Sequence, residues 1–121
     1  MNGATSFREL LDRYQRGERD FAESDLDTDT ANDLRGACLD GIDLSRSYVV
    51  ASFRGARLRG AVFRGANVKT CDFSGADLTG ADFCEAALCA TTFAGAQMQD
   101  AQFGGAFYHS YRLQPGEQPD W

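Results

Sequence analysis

His109 is the single histidine of the 121-residue chain, and it lies twenty residues beyond Cys89 and twenty-five beyond Cys84. Imidazole and thiolate are the side chains that most readily hold zinc or run nucleophilic chemistry, so their spacing is the first thing to weigh. One histidine and two loosely placed thiols fall short of a zinc ligand set. Any set of nucleophile, base and orienting acid has to be built round this one imidazole. Asp25, Asp27 and Asp29 open like a calcium loop, but Thr30 stands where that loop needs glycine and Gly36 where it needs glutamate. No phosphate-cradling glycine loop occurs. The sequence therefore assigns no catalytic residue, no metal and no cofactor, and reads as non-enzymatic.

What positions these residues is a count of five. Phe53, Leu58, Phe63, Val68, Phe73, Leu78, Phe83, Leu88, Phe93, Met98, Phe103 and Tyr108 follow one another at that step. On a helix, five residues turn through about 500°, which scatters such a series around the cylinder. On a flat strand an odd step throws alternate members to opposite faces. What remains is a chain that turns a corner every five residues and points each large residue at a common axis, four sides closing a coil of about 20 residues. Two residues before each large one stands a small one, Ala in most repeats, Cys71 and Thr91 in two. Two residues after it glycine recurs, at 36, 41, 55, 60, 65, 75, 80, 95 and 105, where a corner asks for backbone freedom. Phe alternates with smaller apolar residues, so Phe53, Phe73 and Phe93 should form one internal ladder and Phe63, Phe83 and Phe103 the facing one.

These residues resemble a pentapeptide repeat protein, whose consensus is roughly Ala, Asp or Asn, Leu or Phe, then two variable residues. "GADLTGADF" and "RGANVKTCDFSGADL" match it, and the resemblance runs over about residues 19–108. It implies an all-β fold, a right-handed quadrilateral β-helix (β-solenoid) of about four to five coils, with the central Leu or Phe and the small residue two before it facing inward. Some members of the family bind topoisomerases as DNA mimics, using a long, acidic, two-fold symmetric rod.

The count falters toward the N-terminus. Leu26 to Leu34 is eight residues and Val49 to Phe53 only four: three residues are inserted in "DLDTDTAND" and one is lost at a corner. The insertion should form an outer loop. Ahead of the repeats, Ser6 and Glu9 form a capping box, and Phe7, Leu10, Leu11 and Tyr14 share one face of a helix that Gly17 stops. Such a helix should cover the open end of the stack. The expected organisation is a capping helix in 1–18, the solenoid in 19–110 and a tail in 111–121, with Tyr111, Leu113 and Trp121 available to fold back as a second lid.

Charge and surface pattern bear on partners. Residues 1–50 hold eleven acids and six bases, residues 51–121 seven and six, within a net −6. Between Asp43 and Asp72 no acid occurs, while Arg46, Arg54, Arg57, Arg59, Arg64 and Lys69 form a basic girdle. The girdle lacks interleaved exposed aromatics and the chain is acidic, which argues against nucleic acid. No apolar run nears the ~18 residues of a membrane span, and the first residues lack the apolar centre of a secretory signal. The cysteines fit no disulfide framework, which points to a reducing cytoplasm. One outer side stands apart: Tyr48, Val50, Ala87, Cys89, Phe107 and His109 line it, an expected surface for a protein partner or a weak homodimer. The reading is thus a protein-binding or scaffold module of unknown partner. The alternative is a DNA-mimic type gyrase-binding protein, from which the chain departs by its short rod, its basic middle and its lack of an apolar C-terminal dimerisation segment.

Overall fold

The structure is a computed structural model, and residues 3–121 are described. Its backbone pairing follows the count of five. Parallel β-bridges join Ser52 to Asp72, Arg57 to Asp77, Val62 to Asp82 and Asn67 to Ala87, then Asp72 to Thr92, Asp77 to Gln97, Asp82 to Gln102 and Ala87 to Phe107, always twenty residues on. The return is shorter or longer only where the sequence breaks its count. Below the four-residue step the bridges Asp33 to Ser52, Cys38 to Arg57, Asp43 to Val62 and Tyr48 to Asn67 span nineteen residues. Across the insertion Asp20 pairs with Asp43, twenty-three residues on. The described chain is an all-β solenoid with one helix.

Each repeat supplies its own corner. The nine glycines named above all adopt left-handed φ, between 64° and 78°. At the position just before the large residue, Asp accepts the N–H two residues on: Asp72 from Ser74 at 2.9 Å, Asp77 from Thr79 at 3.1 Å and Asp82 from Cys84 at 2.9 Å. This side-chain turn explains why the repeat favours Asp or Asn there, since the corner amide has no coil neighbour to bond.

The inner column is dry and aromatic. Phe53, Phe63, Phe73, Phe83 and Phe103 are fully buried. Phe53 stacks on Phe73 at 5.1 Å and Phe73 on Phe93 at 5.3 Å; Phe63 stacks on Phe83 at 4.8 Å and Phe83 on Phe103 at 5.0 Å. The two ladders meet edge to face at 5.4–6.1 Å. Burial of each ring contributes about 1.5–3 kcal/mol, and each favourable ring pair about 0.5–1.5 kcal/mol beyond that. Ala56, Ala61, Ala66, Ala76, Ala81 and Ala86 are buried beside the rings.

The helix α1 (Phe7–Gln15) buries Phe7 and Leu10, with Leu11 and Tyr14 packed against the core at their margin. Ser6 accepts the Glu9 N–H, as the capping box requires, but Glu9 reaches the Thr5 amide, one residue earlier than expected. The inserted loop has a partner the count does not reveal: Asp29 accepts the N–H of Phe7 at 2.7 Å, placing a carboxylate on the helix N-terminus. Tyr14 donates its hydroxyl to the Asp40 carbonyl at 2.7 Å.

At the other end the chain leaves the repeat through a hairpin of β3 (Phe107–Tyr108) and β4 (Tyr111–Arg112). Leu113 and Pro119 are buried. The Gly105 N–H donates to the Leu113 carbonyl and the Phe93 N–H to that of Trp121, whose ring packs on Tyr108 at 4.4 Å. The edge between them stays open: among the described residues the amides of Gly95, Met98, Asp100 and Phe103 have no backbone acceptor, unlike their counterparts one coil below.

Candidate interaction surface

The outer side that carries Tyr48 is built from two columns. Register stacks Asp25 (β1, Asp25–Leu26), Tyr48 (β2, Tyr48–Val49), Asn67, Ala87 and Phe107 as successive rungs. Two residues further along each rung come Asp27, Val50, Lys69, Cys89 and His109. Asn67 and Lys69 thus form a polar rung between Tyr48 with Val50 below and Ala87 with Cys89 above. The six residues expected to line one side do share it, but as two apolar groups rather than one. Tyr48 and Phe107 stand three rungs apart, about 14 Å.

Their exposure differs as well. Tyr48 is 54% exposed, whereas Phe107 is half-buried and the Arg112 guanidinium lies over its ring at 4.2 Å. β4 therefore covers the upper group, and the lower group remains open. Cys89 accepts the His109 N–H on its sulfur at 3.3 Å, and His109 sits in the hairpin turn with φ of 56°. No group of three His, Cys, Asp or Glu side chains suited to a metal ion occurs among the described residues. All four cysteines are free thiols; burial pushes that of Cys71 up to about 12, away from thiolate chemistry.

The girdle arginines each face a carboxylate. Arg54 reaches Asp72 at 3.2 Å, Arg59 reaches Asp77 at 3.7 Å and Arg64 reaches Asp82 at 3.3 Å, all on the coil above. Arg57 reaches down to Asp40 at 2.7 Å, and Arg46 lies 3.8 Å from Glu23. Lys69 alone of the six has no carboxylate partner among the described residues. Burial raises the Asp40 and Asp72 carboxyls, but hydrogen bonds from Arg57 and the Arg59 amide, and from Ser74 and Arg54, outweigh it and hold both below the usual range. At Asp77 the hydrogen bond from the Thr79 hydroxyl is the largest cause of the lowering.

Two concavities adjoin these features. A 510 Å³ groove runs between α1 and the solenoid, lined by Leu11, Tyr14, Gln15, Arg19, Ala37 and Cys38. A 190 Å³ notch lies beside Tyr48 and is lined by Asp27, Val49, Val50, Asn67, Lys69 and Thr70. Counting in fives finds the slip but not the notch, which borders both the slip at Val50 and the insertion at Asp27.

The family model for pentapeptide repeats matches residues 51–74 and 71–107, in 8 copies. A pentapeptide repeat protein of Nostoc Pcc 7120 is 31% identical over 88% of this chain and 82% of its own, with a TM-score of 0.48. The chain belongs to the pentapeptide repeat family. A member from the thylakoid lumen of Arabidopsis thaliana is 29% identical, covering 74% of this chain and 69% of its own (TM-score 0.46). The pentapeptide repeat protein Rfr23 of the cyanobacterium Cyanothece 51142 is 21% identical over 74% of this chain, and the alignment spans 63% of that protein (TM-score 0.46). No curated protein matches. No helix of this pentapeptide repeat protein, among the described residues, is long and apolar enough to cross a membrane.

Proposed function

We propose that this protein is a non-enzymatic binding or scaffold module. In this reading a right-handed quadrilateral rod of four to five coils, closed at one end by α1, presents the Tyr48 side to another protein. The observation that carries it is Tyr48 itself, a large aromatic 54% exposed on a flat β side, with the apolar Val50 two residues along the same rung. The five girdle arginines each face a carboxylate, so the girdle offers nucleic acid few free cations. Four free thiols suit a reducing cytoplasm.

Tyr48→Ser and Phe107→Ser separate the surface from the fold. Both variants should keep the circular dichroism spectrum, while Tyr48→Ser abolishes any weak homodimer seen by analytical ultracentrifugation. Collapse of melting in Tyr48→Ser would mean the side is covered internally. The gyrase-binding alternative is tested separately: no change in DNA supercoiling is expected at micromolar protein.

A further inference from the structure

The count of five fails twice in this chain, and both failures border one cavity. The three-residue insertion begins just after β1 and the one-residue slip just after β2, and those two segments pair directly, Asp25 with Tyr48 and Leu26 with Val49. The 190 Å³ notch opens on their far side. A repeat protein that breaks its own rule twice at one spot, and nowhere else between Phe21 and Tyr108, has built a local feature there.

The chemistry of the walls is specific. Asp27 stands at the lower rim beside Asp25, and among the described residues neither carboxylate has a basic partner. The proximity of Asp27 raises the Asp25 carboxyl, the sign of two acids held together without a cation. Lys69, the unpaired girdle cation, stands at the upper rim. Asp27 and Lys69 line the same notch with opposite charges. An ammonium and a carboxylate on one carbon offer each of them a charge-assisted hydrogen bond. Tyr48 and Val50 supply an apolar wall between the two charges. The volume equals that of about six water molecules, which suits a single amino acid rather than a larger ligand.

We propose that the notch binds a free α-amino acid, its ammonium on Asp27, its carboxylate on Lys69 and its apolar side chain against Tyr48 and Val50. The site shares Tyr48 and Val50 with the proposed partner surface, but ligand binding is measured on this chain alone and so is tested separately. L-leucine titrated into ¹⁵N-labelled protein should shift the amides of Val50, Asn67, Lys69 and Thr70 with saturation. Isopentylamine and 4-methylpentanoate, which carry one charge each, should not. Lys69→Gln and Asp27→Asn, both solvent-facing and expected to leave the circular dichroism spectrum intact, should each weaken binding about tenfold. The proposal is overturned if none of the twenty amino acids gives saturable shifts up to about 10 mM, a bound of roughly 3 kcal/mol of affinity. It is equally overturned if the shifts survive Lys69→Gln or if either singly charged probe binds as well as L-leucine.

Discussion

Residues 51–107 and residues 20–50 use the same five-residue unit to different ends. In the upper stretch every return is twenty residues, the inner column is stacked phenylalanine, and the small slots are almost all alanine. In the lower stretch Leu26, Leu34, Leu39, Leu44 and Val49 replace the aromatic ladder, and Ile42 fills a slot that is small elsewhere. Two more of these slots hold buried serines that mend an irregular backbone: Ser24 donates to the Phe21 carbonyl and accepts from the Ala4 amide, and Ser47 accepts the Ser24 N–H. Even the upper coil lends a hand at the slip, where the Cys71 thiol lies 3.2 Å from the Val49 carbonyl. Repetition builds the stable rod. Departure from it builds the helix dock and the acidic loop in the lower stretch, and the notch where that stretch meets Asn67, Lys69 and Thr70.

The largest effect should come from breaking the regular half. Ala81→Glu places an unpaired charge among Phe ladders that leave no room for water, and should prevent folding as read by circular dichroism. Asp82→Lys, one residue away, loses the Cys84 turn bond and the Arg64 contact but faces solvent, and should cost about 1 kcal/mol in urea denaturation. Equal damage from both would refute the register.

In the irregular half, Asp29→Ala removes the carboxylate from the α1 N-terminus. The expected loss is about 1 kcal/mol, with amide exchange accelerated in Phe7–Gln15 and unchanged at Phe73 or Phe83. An effect spread evenly through the rod would show that helix and solenoid melt as one unit.

The Arg and Asp collar between the halves predicts acid sensitivity. Asp40, Asp72 and Asp77 have depressed carboxyl pKa values, so each contributes stability above the unfolded value of about 4. That contribution is lost as pH falls through the lowered folded values. Melting temperature should therefore be flat above about pH 5 and fall below about pH 4. Asp77→Asn should reduce the fall.

The smallest effect is a gain. Ala90 holds a corner with φ of 60°, where most equivalent residues are glycine. Ala90→Gly removes that strain and should raise stability by about 0.5–1 kcal/mol in thermal melts.

The coil, its inner faces, both Phe ladders and the two breaks were legible because each depends on residue type at fixed spacing. Asp29 on the helix, the Ser24 and Ser47 bonds and the Asn67 and Lys69 rung were not. Each depends on what an irregular segment stacks against one coil away, and the count in fives loses its register at the very residues that decide it. The tail leaves the repeat at Pro115 and Pro119, so its burial rests on single contacts such as Leu113 and Trp121 rather than on a period.

Each coil of the stack bonds the next, and the last coil is only partly covered. Residue-resolved hydrogen exchange by NMR tests it directly. Leu58, Phe63, Leu78 and Phe83 donate to the coil above and should exchange slowly, near the global unfolding limit, whereas Met98 and Asp100 at the same points of the repeat should exchange fast. Protection of Met98 and Asp100 equal to that of Leu78 and Gly80 would contradict the account.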